Sequence, residues 1–263
     1  MSGRQNGRSH VLGVPVRPWT MGRTLSWVRD HVAVARQGHA GPAYLITANL
    51  NYCMLTARNA DLAAVNDGAA AVLADGMPLV AWSRISPRAE RLPERVAGSA
   101  FIGSVCAQAA RLGHRVYFLG GRPEVLNEAV AALRARHRGL KVAGSHSPPF
   151  RELSESEDRD LVRRVRSARP DILLVALGQP KGERWIARYR EALKVPVSVQ
   201  LGASFDFAAG RVRRAPRWLQ AAGLEWAFRL AMEPRRLAGR YAANALFLAG
   251  FVARTLVGRS AAA

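Results

Sequence analysis

The sequence predicts an α/β protein built on a mainly parallel sheet covered by helices on both faces, with a helical appendage at its carboxyl end. Three observations carry that prediction. From Gly98 to Leu201 short apolar runs alternate with helical stretches of roughly 10–15 residues, the spacing of parallel strands joined by crossover helices. Apolar residues make up 49% of the 263, enough for a sizeable core. After about Gly210 the alternation gives way to arginine mixed with tryptophan, phenylalanine and leucine, which suits either an amphipathic helix closing the fold or a surface that grips something anionic beside something apolar.

Residues 1–10 are polar and basic with no apolar run behind them, so they read as a disordered tail and not as a secretory leader. Residues 11–210 are then the core domain and 211–263 the appendage. Within the core, Val11–Val16 reads as a first short strand. Leu25, Val28, Val32 and Ala35 recur at helical spacing in a predicted helix from about Thr20 to Arg36. An apolar strand is expected at Ala43–Thr47, one helix over Leu55–Asn66, a strand at Ala70–Leu73 and a helix running to Ile85. A loop over 88–98 leads into the regular alternation: helix Phe101–Leu112, strand Val116–Leu119, helix Glu124–Arg136, strand Lys141–Gly144, helix Glu155–Ala168, strand Ile172–Ala176, helix Glu183–Leu193 and strand Val197–Leu201. Pro216, as a first-turn proline, is expected to open one helix that carries Trp218 through Met232.

The formal net charge is +20, from 39 basic and 19 acidic residues, and only Lys141, Lys181 and Lys194 are lysines. An arginine surplus fits phosphate, nucleic acid or an anionic membrane, because the guanidinium fork matches phosphate oxygens; it equally fits a GC-rich genome. Cys53 and Cys106 lie in apolar surroundings without metal-ligand spacing, the usage of a reduced, cytoplasmic protein. The longest uncharged apolar run near the carboxyl end, Tyr241–Ala253, is shorter than the ~20 residues of a spanning helix, so the chain is expected to lie on a membrane and not to cross it.

Strand tips hold the candidate chemistry. Thr47 and Asn49 end one predicted strand, where open α/β sheets place ligands, and they suit a helix cap just as well. Asp75 ends the next, followed by Gly76, whose freedom would let an unusual backbone bring the carboxylate close to a ligand; an ordinary turn aspartate fits too. Gly120 and Gly121 stand between a strand and a helix, where amides and a helix amino end hold phosphate, though without a third glycine at dinucleotide spacing. Asp158-Arg159-Asp160 has a metal–nucleotide form but falls inside a charged helix. There is no G-x-S-x-G elbow, zinc cluster or Cys–His pair, and no helix-turn-helix, zinc-finger or RNP-like pattern. The residues by themselves leave open an enzyme or a non-catalytic nucleotide- or nucleic-acid-binding module.

Several blocks in one order resemble the WecG/TagA/CpsF glycosyltransferases, glycosyltransferase family 26. They are Thr47-Ala48-Asn49, Ala74 to Pro78, Pro93 to Gly98, Ala176 to Lys181, Gly202 to Arg217, and Gly223 to Trp226 with Arg229, Glu233, Pro234 and Arg236. The likeness covers about Val11 to Tyr241. It implies a Rossmann-like core with a membrane-binding appendage, and inverting transfer of N-acetylmannosamine or a related hexose from a UDP-sugar to an undecaprenyl-diphosphate-linked sugar. The setting implied is the cytoplasmic membrane face, in the making of teichoic acid, common antigen or exopolysaccharide, with no metal or other cofactor.

The same resemblance makes Asp75 the general base and places Thr47, Asn49 and Arg95 on the substrate side, where Gln179, Lys181 and Asp206 of the matching blocks are added as candidates. It takes Arg229 and Arg236 to the donor diphosphate or the lipid pyrophosphate, and Gly120 and Gly121, from their strand-to-helix position, and Arg214, from its block, are candidates for the same groups. The partners implied are the UDP-sugar, the lipid-linked acceptor and an anionic membrane surface, not nucleic acid, with the oligomeric state left open. The physics agrees: one carboxylate takes the acceptor hydroxyl's proton while arginines and helix amino ends neutralise the departing diphosphate. Two departures stand out. The family turn usually reads Pro-Lys-Gln-Glu where this chain has Pro180-Lys181-Gly182-Glu183, so a glutamine is missing at 182 and nearby Gln179 is the candidate substitute. The loop His146–Phe150 has two prolines where the family tends to glycine and aromatic residues.

Overall fold

A computed structural model describes residues 9–86, 89–221 and 223–260. The core runs β1 (Ser9–Val11), β2 (Val14–Val16), α1 (Met21–Arg36), β3 (Ala43–Ala48), α2 (Leu50–Arg58), α3 (Asp61–Gly68), β4 (Ala71–Ala74), α4 (Met77–Ile85), α5 (Gly98–Leu112), β5 (Arg115–Gly120), α6 (Pro123–Arg136), β6 (Lys141–His146), α7 (Glu155–Ser167), β7 (Ile172–Ala176), α8 (Lys181–Leu193), β8 (Val197–Gln200) and α9 (Ser204–Ala208). The tail adds α10 (Arg217–Ala221), α11 (Glu225–Met232) and α12 (Pro234–Ser260). The strands form one sheet in the order β1-β2-β4-β3-β8-β7-β5-β6, with every pair parallel except the β1–β2 hairpin.

Alternation along each strand builds a separate core on each face. Tyr44, Ile46 and Ala48 of β3, Tyr117 and Leu119 of β5, and Leu173 and Val175 of β7 pack with α2, α3, α4, α7 and α8. Leu45, Val116, Phe118, Ile172 and Leu174 point the other way, against α1, α5, α6 and α9. Local signals set the helix starts: Thr20 caps α1 through its side chain, and Ser154 with Glu157 forms a reciprocal capping box on α7. Cys53 and Cys106 are free and buried, and burial pushes both thiols up to about 12.

Three expectations need correction. The single strand over Val11–Val16 is a hairpin, because Leu12 and Gly13 both adopt positive φ (51° and 83°) and turn the chain back; Leu12 is not a residue that signals this turn. The single helix over Leu55–Asn66 is two, α2 and α3. Capped by Asn49, the first starts five residues earlier than expected, and Asn59 ends it by leaving helical geometry while Arg184 donates to its side chain (3.1 Å). The basic segment is not one helix from Pro216. Gly223 (φ 75°) and Glu233-Pro234 interrupt it, and Pro234 opens α12. Of the predicted amino-terminal tail, residues 9 and 10 belong to β1 and the others lie outside the described residues, as does the start of the 88–98 loop.

The tail lies on the core. Leu237 is fully buried, Phe251 meets Trp82 edge to face at 5.4 Å between ring centroids, and Phe247, Leu248 and Val252 pack beside them. Among the described residues no helix is long and apolar enough to cross a membrane.

The end of β5 packs closely against the end of β7. At Gly120 φ is 103°, and a Cβ there would lie 2.5 Å from the carbonyl oxygen of Ala176. Gly178 also has positive φ (80°) but open space around it. Gly120→Ala is therefore expected to cost well over ~2 kcal/mol and Gly178→Ala only ~1 kcal/mol, the backbone strain alone. Urea unfolding of the two variants measures the difference; equal costs would contradict the packing argument.

Candidate active site

The residues singled out by sequence gather at the carboxyl ends of the strands, where a parallel sheet leaves its crevice. Asp75 follows β4 directly. Its N–H donates to the Ala48 carbonyl (2.7 Å), tying the tips of β4 and β3, while Val96 N–H donates to Ala74 (2.8 Å) and folds the preceding loop back over it. Gly76 has φ 170°, extended backbone open to any residue, so the expectation of an unusual glycine conformation there was mistaken.

Asp75 keeps part of its surface exposed, but its carboxyl is enclosed by protein. Burial pushes that carboxyl up to about 6, against the pull of Arg95, the Gly98 N–H and Arg229, with Glu225 adding to the rise. Arg95 donates through Nη1 to Glu225 Oε2 at 2.6 Å, a largely buried ion pair between the core loop and the first turn of α11. One turn later Arg229 lies over the Phe207 ring, 5.1 Å from its centroid. Its Nε and Nη2 are buried without a hydrogen-bond partner among the described residues. The tail thus sets an arginine with unused donors near enough for its charge to favour the ionised form of a core carboxyl that burial raises to about 6.

The remaining candidates divide by position. Thr47 is buried and its hydroxyl donates to the Gln200 carbonyl (2.8 Å), holding β3 to β8; Asn49 caps α2 by accepting from Tyr52 N–H (3.0 Å). Gln179 accepts from Asn51 Nδ2 (3.3 Å) and donates to the Thr47 carbonyl (3.4 Å), bridging the turn after β7 to the tip of β3. Gly120, Gly121 and Lys181 line a small cavity of about 50 Å³ with Pro148, Pro149 and Phe150. The Gly121 N–H is already engaged with Ala176 (3.0 Å) and Lys181 Nζ with the Arg151 carbonyl (2.6 Å). Arg214 donates to Ser99 Oγ (2.7 Å) at the start of α5, and exposed Arg236 pairs with Glu233, with Asp206 near enough to act on its charge.

A larger cavity, about 830 Å³, lies at the opposite ends of the strands among Arg166, Arg169, Pro170, Lys194 and Pro196, and holds none of the predicted residues. Asp158 accepts from Trp185 Nε1 (2.9 Å) and Tyr189 OH (3.1 Å) and so pins α7 to α8 instead of lying free on the surface. Among the described residues no group of three or more His, Cys, Asp or Glu could hold a metal ion.

Sequence reasoning missed three residues. Glu225 was quoted only as part of a block. Glu183 is fully buried in the first turn of α8, where burial pushes its carboxyl up to about 8, so it is mostly neutral at pH 7. Gln200, also fully buried, fills the space above Gly182. The one available signal was a polar residue in the apolar run Val197–Leu201.

Comparison with known proteins places this site in a family. Residues 9–261 match the family model described as "Glycosyl transferase WecG/TagA/CpsF family". The chain is similar to an N-acetylglucosaminyldiphosphoundecaprenol N-acetyl-beta-D-mannosaminyltransferase of Bacillus subtilis (strain 168), with 31% identity over 74% of this chain and 73% of that protein. A protein of the same name from Bacillus spizizenii is 30% identical over 74% and 73% of the two chains.

Because the Asp75 carboxyl is held above its ordinary 3.8, protonation favours the folded state: the stability it contributes is fully present below 3.8 and is lost as pH rises through about 6. Asp75→Asn escapes that loss. It is expected to gain on the wild type across this window by up to ~3 kcal/mol. Urea unfolding at pH 4 and pH 8 measures the gain; a stability difference independent of pH would contradict the enclosed carboxyl.

Proposed function

We propose, on the premise that the chain belongs to the WecG/TagA/CpsF family of glycosyl transferases, that it moves N-acetylmannosamine or a related hexose from a UDP-sugar to an undecaprenyl-diphosphate-linked N-acetylglucosamine, with inversion at the transferred carbon. The reading assigns the reaction to the cytoplasmic membrane face, in the synthesis of a cell-surface polysaccharide, with arginines and no metal neutralising the leaving group. The observation that carries it is the enclosed Asp75 carboxyl, pushed up to about 6, with Arg229 of the tail near enough for its charge to act on it.

In this mechanism Asp75 accepts the proton of the acceptor hydroxyl. The hydroxyl oxygen attacks the anomeric carbon from the face opposite the diphosphate, a carbon–oxygen bond forms, and the bond to the diphosphate breaks with its electron pair leaving on UDP. A pKa near 6 suits a base at neutral pH, ionised yet still able to hold a proton. The growing negative charge meets the two unused donors of Arg229, and Arg214 and Arg236 stand farther along the tail. From the β4 tip with Asp75 to the β5 tip with Gly120 there are four strand spacings, ~19 Å. That span accommodates an extended nucleoside-diphosphate sugar lying across the sheet, its diphosphate between the two ends.

Asp75→Asn is expected to lower transfer at least ~100-fold while leaving UDP binding intact. In the wild type, kcat/KM for the acceptor should rise with pH and level off above about 6. Release of UDP from UDP-N-acetylmannosamine in the presence of a short-chain lipid-diphosphate N-acetylglucosamine measures both. An active Asp75→Asn enzyme would remove the base from this role, and a wild type that binds UDP but releases none from the donor would favour a binding module.

Trp218, Leu224, Trp226 and Met232 are exposed on α10, α11 and the turn between them, with exposed Arg213, Arg214, Arg235 and Arg236 around them. We assign this face to the headgroup layer of an anionic membrane. Since α12 completes the core, the test is substitution and not truncation. Changing Trp218, Trp226 and Met232 together to Ser, or raising the salt to ~1 M, is expected to release the protein from phosphatidylglycerol vesicles in sedimentation. Unchanged co-sedimentation in both cases would rule this face out.

A further inference from the structure

Position 182 lies in the first turn of α8, and a Cβ there would stand 2.4 Å from Oε1 and 2.6 Å from both Cδ and Nε2 of Gln200. The amide at the end of β8 therefore occupies the volume that any side chain at 182 would need. Gln200 is fully buried. Its Nε2 donates to the Gly178 carbonyl (3.4 Å), and its Oε1 has no donor among the described residues. An apolar side chain of similar volume would avoid that unsatisfied oxygen, so packing does not account for a glutamine here.

The Gly178 carbonyl also accepts from the Gly182 N–H (2.8 Å), so the Gln200 amide and the amino end of α8 close on one point of the turn that joins β7 to α8. That turn carries residues toward both halves of the crevice. Gln179 reaches Asn51 and the Thr47 carbonyl on the Asp75 side, while Leu177 and Lys181 line the cavity with Gly120 and Gly121 on the other.

We propose that Gln200 is a positioning residue for the transfer reaction: lodged over Gly182, it fixes the 177–181 turn so that Gln179 and Lys181 meet the donor, and positions 182 and 200 share one amide that either of them can supply. The inference rests on the transferase reading.

The test compares Gln200→Ala, Gly182→Ala and the place-exchange variant Gly182→Gln/Gln200→Gly in steady-state transfer, with the UDP-sugar varied at fixed acceptor. Thermal unfolding is followed in parallel. Gln200→Ala is expected to raise KM for the donor about tenfold with kcat within about threefold, and Gly182→Ala to do the same by evicting the amide. The exchange variant should bring KM back to within about threefold of the wild type. A merely structural role would lower the melting temperature and the active fraction, and with it the apparent kcat, while leaving KM unchanged. Wild-type KM in Gln200→Ala, or an exchange variant no better than Gly182→Ala, would overturn the proposal. If the wild type transfers no sugar, the functional reading falls and this inference with it; an active wild type with unaltered Gln200→Ala kinetics overturns this inference alone.

Discussion

The buried ion pair between Arg95 and Glu225 is the contact on which the site depends. Arg95 belongs to the core loop that folds over the β4 tip, and Glu225 opens the tail helix α11. With the two side chains only 19% and 12% exposed, either one alone would be a poorly solvated charge, so each holds the other in place. Once α11 is fixed, its geometry sets Arg229 one turn on, over the Phe207 ring and near enough for its charge to act on Asp75. The carboxyl's position near 6 is then a balance between the enclosure and Glu225, which raise it, and Arg95, the Gly98 N–H and Arg229, which restrain it.

A second constraint acts along the sheet. The order β4-β3-β8-β7-β5 places the tips of five strands side by side, and small polar contacts join them in series: Asp75 to Ala48, Thr47 to Gln200, Gln179 to Thr47, Gln200 to Gly178, Gly121 to Ala176. Thr47 and Gln179 take part through their side chains and Asp75 and Gly121 through their backbone N–H groups, and together these contacts tie the strand tips into the floor of the crevice. Among the described residues, the buried polar atoms at this end of the sheet left without a partner include two Arg229 donors, the Gln200 oxygen and both Glu183 oxygens.

The parallel sheet was legible because apolar runs and helical periods alternate plainly after Gly98; Asp75 at a strand tip fitted an ordinary turn as well as a site, and only the resemblance of its block to the family singled it out. Leu12-Gly13 hid its hairpin, since a buried leucine in a left-handed turn sends no local signal. The Asn59 break was hidden because helical periodicity continues across it. The tail was read as one helix because its amphipathic pattern outlasts the breaks at Gly223 and Pro234. In the site, Glu225 and Gln200 were missed for a common reason: each acts on a residue distant in sequence, Arg95 and Gly182, and only the fold makes those pairs. The missing glutamine at 182 was visible in the sequence, but not that a neighbouring strand fills its place.

The central claim is that a tail arginine and a core carboxylate share one electrostatic site. A carbon-13 titration of the Asp75 carboxyl, in the wild type and in Arg229→Met, tests it most directly. The account predicts a midpoint near 6 in the wild type and a higher one in Arg229→Met, because a cation that favours the ionised form has been removed. A midpoint near the ordinary aspartate value, or one indifferent to Arg229, would contradict it.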